Sequence, residues 1–243
     1  MCCFSREVKS VSNTNIFARD SKSPMQFLVY SMNFSAAADL AMILPIPIPK
    51  GTPEKGVRFI NLEKYPDFFV AMDSGFPKAA VASAAPADGG KKAPKLEIVE
   101  VGAYEASFVP TVNDFGRLDE RFRLPAGTWD KLPQYKAYGF AVFKLKEGNH
   151  KTHPMAFEFP RADPGKLFFP TVHIHDGLVH EKADFDHTLY AQFGMAPAQA
   201  WIESRQPASM FMNVSKCAGV VDADGHVYKR IIRGERKNED TLA

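Results

Sequence analysis

Short runs of aromatic and β-branched residues recur along the chain between polar turns, a pattern that indicates strands rather than long helices. FLVYSMNF at 27–34 is the first such run, and LAMILPIPI at 40–48 follows it after the small turn SAAA. The prolines in PIPIP predict that this second strand lies at a sheet edge or leaves the sheet there. The same pattern predicts strands at 57–62, 96–110, 138–148, 153–160, 166–181, 200–204, 208–214 and 225–234.

Helical spacing is confined to a few short segments. Residues 65–76 place apolar side chains on one face and stop at Gly75 and Pro77, which predicts a short helix. Residues 113–124 show similar spacing, and 186–193 fits either a helix or a strand. We therefore predict an α+β, β-rich fold with mainly antiparallel sheets and two or three short helices.

The composition favours one β-rich domain. The 243 residues are 45% hydrophobic and 24% charged, with twenty phenylalanines and eighteen prolines, which favour strands and turns. Residues 78–95 consist almost wholly of Ala, Pro, Gly, Ser and Lys, as flexible loops do. We predict a single domain, 1–243, in which this loop separates an N-terminal portion, 1–77, from a C-terminal portion, 96–234. The tail 235–243 is expected to fray.

Charge and targeting signals exclude several classes of protein. The net charge is only +2, from 30 basic and 28 acidic residues, and no basic stripe is present, so nucleic acid is not an expected partner. The most apolar stretch is short and broken by proline, which argues against a membrane span. The first residues lack the pattern of a secretory signal, so we expect a cytoplasmic chain. Three cysteines do not suggest a disulfide framework.

The stretch VHIHDGLVHE carries the strongest candidate chemistry. Asp176–Gly177, flanked by apolar residues, is a strong signal for a two-residue β-hairpin turn. In the register that this turn sets, His173 lies opposite His180. His175 then points to the same face, because residues two apart on a strand share a face.

Three imidazoles on one face can hold zinc and leave one coordination position open, and copper or iron accept the same ligands. His173, His175, His180 and His187 are the predicted metal ligands, with His187 alternatively a catalytic proton shuttle. Glu181 is a further catalytic candidate, able to orient a ring nitrogen. The leading hypothesis is a metal-binding protein, and in its more specific form a metalloenzyme that activates water or dioxygen. The expected partner of the protein is a small-molecule substrate or the metal ion. A solvent-facing hairpin and a metal-free acid–base cluster remain alternatives.

The amino terminus offers a second chemistry. Loss of Met1 exposes Cys2, whose thiol then lies beside its own α-amine, as in N-terminal-nucleophile hydrolases. With Arg19 and Asp20 in support, this start is similar to that of choloylglycine-type amidases and predicts a cysteine amidohydrolase. A third hypothesis is a metal-free binding or scaffold protein.

The order of motifs also resembles an uncharacterised family of bacterial proteins, a domain of unknown function. The similar features are the cysteine-bearing start, NIFARD, the strand pair ending in PIPIP, VGAYEASFVP, and LPQYKAYGFAVFKLKEG followed by FFPTVHIH. The resemblance covers roughly residues 1–175. It implies a mixed, β-rich fold and no known activity.

Overall fold

In the computed structural model the chain is built from strands. The structure describes residues 2–21, 24–77, 99–101, 104–125, 127–176, 178–194 and 200–243. These residues form one short α-helix, α1 (Phe68–Asp73), and sixteen strands: β1 (Cys2–Phe4), β2 (Ser10–Asp20), β3 (Met25–Ala36), β4 (Leu40–Ile46), β5 (Arg58–Asn61), β6 (Val99–Val101), β7 (Tyr104–Val109), β8 (Gly139–Leu145), β9 (Gly148–Lys151), β10 (Met155–Pro160), β11 (Phe168–Phe169), β12 (His173–Ile174), β13 (Lys182–Gln192), β14 (Ile202–Glu203), β15 (Tyr228–Lys237) and β16 (Thr241–Leu242).

Short 3₁₀ helices fill several connections between the strands. Within the described residues they span Glu54–Gly56, Val112–Arg117, Glu120–Phe122, Trp129–Lys131, Pro133–Tyr135, Ala208–Met210 and Val214–Lys216.

The strands form two large sheets and one small one. The six-stranded sheet has the order β12-β1-β4-β8-β7-β6, and the eight-stranded sheet includes β14-β15-β13-β2-β3-β10-β5, with β9 also pairing with β3. β11 and β16 form a separate two-stranded sheet. Each large sheet contains one parallel pair, β1 with β12 and β2 with β13, so the sheets are mixed. The β-rich prediction is therefore confirmed, but the sheets are not purely antiparallel.

The two large sheets pack face to face around the main core. Side chains from β4 and β8, such as Met42 and Phe143, meet side chains from β3 and β10, such as Tyr30 and Phe157. Every residue of β4 is buried, because both faces of the sheet around it are covered. Among the described residues, β1 pairs with β4 only at Met42 and Ile43, so it does not reach Pro45. The backbone N–H that proline lacks on the β1 side therefore removes no hydrogen bond between strands.

Each sheet is also covered on its outer face. Three buried side chains of α1, Phe68, Phe69 and Met72, pack against the eight-stranded sheet together with residues from the segment before β15. The outer face of the six-stranded sheet is covered by the 3₁₀ segment between β7 and β8, through residues such as Phe115 and Tyr135. Apolar side chains are thus buried in three layers, which explains the high phenylalanine content.

Several local predictions differ from the structure. The predicted helix at 113–124 is a pair of short 3₁₀ helices, and the predicted strand at 208–214 also contains 3₁₀ turns. The polar stretch 10–20, not predicted as a strand, is β2, which lies inside the eight-stranded sheet between β13 and β3. Tertiary pairing overrides local propensity at these positions.

The tail is ordered rather than frayed. β16 pairs with β11, and the backbone N–H of Leu167 and the backbone carbonyl of Ala243 form a hydrogen bond of 2.6 Å. The buried Asp240 carboxylate accepts hydrogen bonds from the backbone N–H groups of Thr171 and Val172 and from the Tyr135 hydroxyl. These long-range partners hold a segment whose own sequence has little structural preference.

The loop predicted at 78–95 lies outside the described residues, and the single-domain prediction stays a prediction. Among the described residues, no helix has both the length and the apolar character needed to cross a membrane.

Candidate functional site

Three of the four predicted ligand histidines form a cluster between the two large sheets. His173 comes from β12, at the edge of the six-stranded sheet, and His187 comes from β13 of the eight-stranded sheet. Their ring centroids are 4.7 Å apart, and the His175 ring lies 4.9 Å from that of His173. Phe185 lies against both His173 and His187, at 4.6 and 5.2 Å. The cluster is therefore part of an aromatic contact that joins the sheets.

The strand that carries His173 is positioned from both ends of the chain. β12 pairs in parallel with β1, which places Cys2 beside His173 and Cys3 beside Ile174. From the C-terminal side, Asn238 makes two hydrogen bonds to the His173 backbone, at 2.7 and 2.9 Å. Neither contact is visible in the local pattern, because both partners are distant in sequence.

His180 lies apart from the cluster. In the described residues, no ladder pairs 173–175 with 178–180, so the predicted opposition of His173 and His180 is wrong. Instead, His180 is exposed, and its Nε2 lies 2.8 Å from the Asp176 carboxylate. Asp176 also accepts a hydrogen bond from the backbone N–H of Leu178. The Asp-Gly signal did not lead to a hairpin ladder among the described residues, because β12 pairs with β1 instead.

The buried imidazoles are held neutral. His187 is fully buried, and neither of its ring nitrogens has a hydrogen-bond partner within the described residues. Burial, which penalises the charged ring, lowers the pKa of His173 to about 3 and that of His175 to about 4. The pKa of His187 is also lowered, again mainly by burial. At neutral pH these rings act as uncharged packing groups, and they are poor general acids.

The metal-site hypothesis is wrong. Within the described ranges, no three His, Cys, Asp or Glu side chains come together in a way that could hold a metal ion. His173, His175 and His187 lie together without forming the predicted zinc, copper or iron site, and His180 lies outside the cluster because β12 pairs with β1. The small-molecule or metal partner predicted from such a site loses its basis as well.

The other predicted catalytic residues do not form a site with the cluster. Glu181 is exposed, and its backbone carbonyl accepts a hydrogen bond from the N–H of Asn238. Arg19 donates to the backbone carbonyls of Gly219 and Val220, and Asp20 pairs with the buried Arg161 at 2.6 Å. Both therefore have structural partners far from Cys2, whose strand belongs to the other sheet.

A second feature is the long connection 78–98, whose two flanks are firmly anchored. Before it, the Asp73 carboxylate accepts a hydrogen bond of 2.8 Å from the Tyr190 hydroxyl and pairs with Lys229. At Gly75, an added Cβ would lie 2.6 Å from the Phe211 ring, so the chain is packed closely there. After the connection, β6 pairs with β7 at the edge of the six-stranded sheet. The connection therefore leads from the outer cover of one sheet to the edge strand of the other.

The sequence of this connection contains one aspartate. Asp88 lies in the stretch APADGG, where it is followed by two glycines. The composition of this stretch predicts a loop and nothing more. Its position between two anchored flanks became apparent from the topology.

In both large sheets, strands that precede the connection pair with strands that follow it. In the six-stranded sheet, β4 precedes the connection and pairs with β8, which follows it. In the eight-stranded sheet, β3 precedes it and pairs with β10, and β2 pairs with β13. A chain cut within the connection would therefore keep its two parts joined through both sheets.

Comparison with known proteins identifies this fold among solved structures. No family model and no curated protein matches the chain. A 2.7 Å crystal structure of a mutated baculovirus P35 after caspase cleavage matches with a TM-score of 0.52 and 15% identity, over 95% of this chain and 99% of that chain. A 3.1 Å structure of the same kind matches with a TM-score of 0.50 and 15% identity, over 96% and 97%. A caspase-8/P35 complex matches with a TM-score of 0.48, 14% identity, and 95% of both chains.

These likenesses show the fold over nearly the whole chain. Among the described residues no group of side chains could hold a metal ion, and the solved structures that share the fold are baculovirus P35 proteins, so the comparisons give the metalloprotein hypothesis no support.

Proposed function

We propose that this chain is a cleavable protein inhibitor of a caspase-type cysteine protease. The observation that carries the proposal is the shared fold, over 95% of this chain, with P35 structures determined after caspase cleavage. Because a shared fold does not by itself imply a shared function, the local features of the chain matter.

The connection 78–98 supports the proposal by its sequence and by its flanks. Caspases cut after aspartate, and Asp88 is the one aspartate between Pro77 and Val99. The small Ala and Gly residues around Asp88 place little steric bulk beside the bond to Gly89. Anchoring through Asp73 and β6 fixes the two flanks of this segment on the body of the protein.

The pairing of strands from before the connection with strands from after it explains how a cut substrate can remain an inhibitor. An ordinary substrate loses affinity when its two halves separate after the cut. Here the halves stay paired through β4–β8 and β3–β10, so the product keeps one continuous surface toward the protease. Slow dissociation of such a product would hold the enzyme, since differences in affinity lie mostly in the dissociation rate.

The test is a titration of active caspases with the full chain, the Asp88→Ala variant and the Asp224→Ala variant. Asp224 precedes Gly225 in an exposed turn and is the matched control, because it offers the same dipeptide elsewhere on the surface. We expect cleavage after Asp88, shown by intact mass, and stoichiometric loss of caspase activity for the natural chain and the Asp224→Ala variant. The Asp88→Ala variant should show neither effect.

Gel filtration of the cleaved chain provides a second readout. We expect both fragments to elute together with the protease. Cleavage without loss of protease activity would make the chain only a substrate and would refute the inhibitor proposal, and the absence of any cleavage at Asp88 would refute it entirely.

A further inference from the structure

The outer edge of β15 is mostly unpaired. On one side β15 pairs with β13 from Tyr228 to Lys237. On the other side β14 covers only Tyr228 and Lys229. Within the described residues, no strand pairs with the outer edge of 230–237. An unpaired edge presents backbone N–H and C=O groups that can accept another strand.

A groove runs beside this edge. It has a volume of about 610 Å³ and is formed by β15, Phe185 and the C-terminal segment with β16. Ile231 and Leu242, both among its lining residues, expose 52% and 54% of their surface. β15 thus combines an outer edge that has no strand partner over 230–237 among the described residues with a groove that carries exposed apolar side chains, as strand-accepting sites do.

The charge of the edge is strongly one-sided. Residues 230–237 contain four basic side chains and one acidic side chain, a net charge of +3: Arg230, Arg233, Arg236, Lys237 and Glu235. The Arg233 guanidinium donates to the His187 carbonyl, and Lys237 pairs with Glu239. Arg230 and Arg236, which line the groove, have no ion pair within the described part of the chain.

The acidic groups near the groove do not offset these arginines. Glu235 pairs with Lys182, on the neighbouring strand. The Asp240 carboxylate is buried. It accepts hydrogen bonds from the Tyr135 hydroxyl and from the backbone N–H groups of Thr171 and Val172, which directly precede β12. The guanidinium groups of Arg230 and Arg236 are therefore available to a ligand.

We propose that the edge 230–237 binds an extended acidic segment of a partner protein as an added strand. A second copy of this chain is a poor occupant, because it would set an edge of charge +3 against another of the same charge. The segment would pair with the β15 backbone, place acidic side chains beside Arg230 and Arg236, and cover Ile231. This surface is independent of the connection 78–98 and of the proposed protease inhibition.

The experiment uses fluorescent ten-residue peptides and the full chain. The probe alternates Glu and Val; one control alternates Lys and Val, and another keeps the acidic charges but carries proline at two central positions, which prevents strand pairing. Binding is followed by fluorescence anisotropy at low and high salt, and backbone amide exchange is measured over 230–237.

We expect the Glu–Val peptide alone to bind, more weakly at high salt, and to slow amide exchange along the edge. The Arg230→Glu/Arg236→Glu variant should lose at least about tenfold in affinity. The control variant Arg6→Glu/Arg205→Glu changes the net charge equally at exposed positions outside the groove and should lose less than about twofold. If the reversal variant is unfolded by circular dichroism, Arg230→Gln/Arg236→Gln should show a loss of about threefold.

Three results would overturn the proposal. The first is no binding of the Glu–Val peptide, in which case the charged edge serves only to prevent strand pairing. The second is an equal loss in the groove and control variants, which would indicate attraction by net charge alone. The third is equal binding of the proline-containing peptide, which would exclude strand addition.

Discussion

Acid should unfold this protein through the buried cluster of His173, His175 and His187. Burial holds the pKa of His173 at about 3 and that of His175 at about 4, and it lowers the pKa of His187 as well. In the unfolded chain each pKa returns to about 6.5. Below pH 6.5 the unfolded state therefore binds more protons than the folded state, and the free energy of unfolding falls with pH.

The expected loss is large. Each neutral buried histidine lowers the free energy of unfolding by about 1.4 kcal/mol for each pH unit below 6.5, until its folded pKa is reached. At pH 5 this is about 2 kcal/mol for one histidine and about 4 kcal/mol for His173 and His175 together, and His187 adds to the loss in the same direction. Since domains are typically stable by about 5–15 kcal/mol, much of the stability should be lost. Asp240, whose pKa burial raises, acts in the opposite direction and offsets part of this loss at lower pH.

The measurement is urea unfolding followed by circular dichroism between pH 7.5 and 5. The His187→Leu variant removes one titrating ring from a fully buried site with a side chain of similar volume. Its loss between pH 6.5 and 5 should be smaller than that of the natural chain, because one neutral buried ring no longer takes part in the titration. The control is Val70→Ala, at an exposed position of α1, which removes no titrating group and should retain the natural pH dependence.

Two outcomes would refute this reasoning. A free energy of unfolding that stays constant from pH 7.5 to 5 would show that the cluster is not held neutral by burial. A His187→Leu variant with the same pH dependence as the natural chain would show that other groups cause the loss.

Three further predictions concern packing, the tail and a thiol. Phe68→Ala, in the fully buried face of α1, should lower the free energy of unfolding by about 3–5 kcal/mol in urea titrations, whereas Val70→Ala, at an exposed position of α1, should change it by less than about 1 kcal/mol. Asp240→Ala should cost about 2–5 kcal/mol by the same measurement, because it leaves buried donors without a partner; a loss below about 1 kcal/mol would contradict the role of the tail. The Cys217 thiol, whose pKa burial raises to about 11, should resist alkylation at pH 8 until the chain is unfolded, as peptide mass mapping can show; rapid labelling of the folded chain would contradict this.

The strands that could be predicted are those whose side chains alone demand burial. FLVYSMNF is mostly apolar and LAMILPI is apolar throughout, and both are buried strands at the centre of the fold. By contrast, β2 begins with SVSNTN, which has no apolar period, and it is a strand because β13 and β3 pair with it on both sides. Local composition predicts burial, but it does not report which neighbour supplies the hydrogen bonds.

The histidine site shows the same limit more clearly. The spacing of His173 and His175 correctly placed them close together, and their rings are 4.9 Å apart. His180 was excluded and His187 included by pairings between residues far apart in the chain: β12 with β1, and β13 with β2 and β15. A one-residue change of register, or a different partner strand, reverses which side chains share a face.

The amino-acid sequence by itself determined that the chain buries many aromatic side chains in strands, carries little net charge and contains one long segment without bulky apolar residues. Only the tertiary structure decided that strands from both sides of that segment pair with each other in two sheets, that the tail closes against β11, and that an edge of charge +3 has no strand partner among the described residues. The physical reason is that burial can be read from side chains one at a time. Strand pairing is a property of two distant backbones, and its free energy appears only when both are in place.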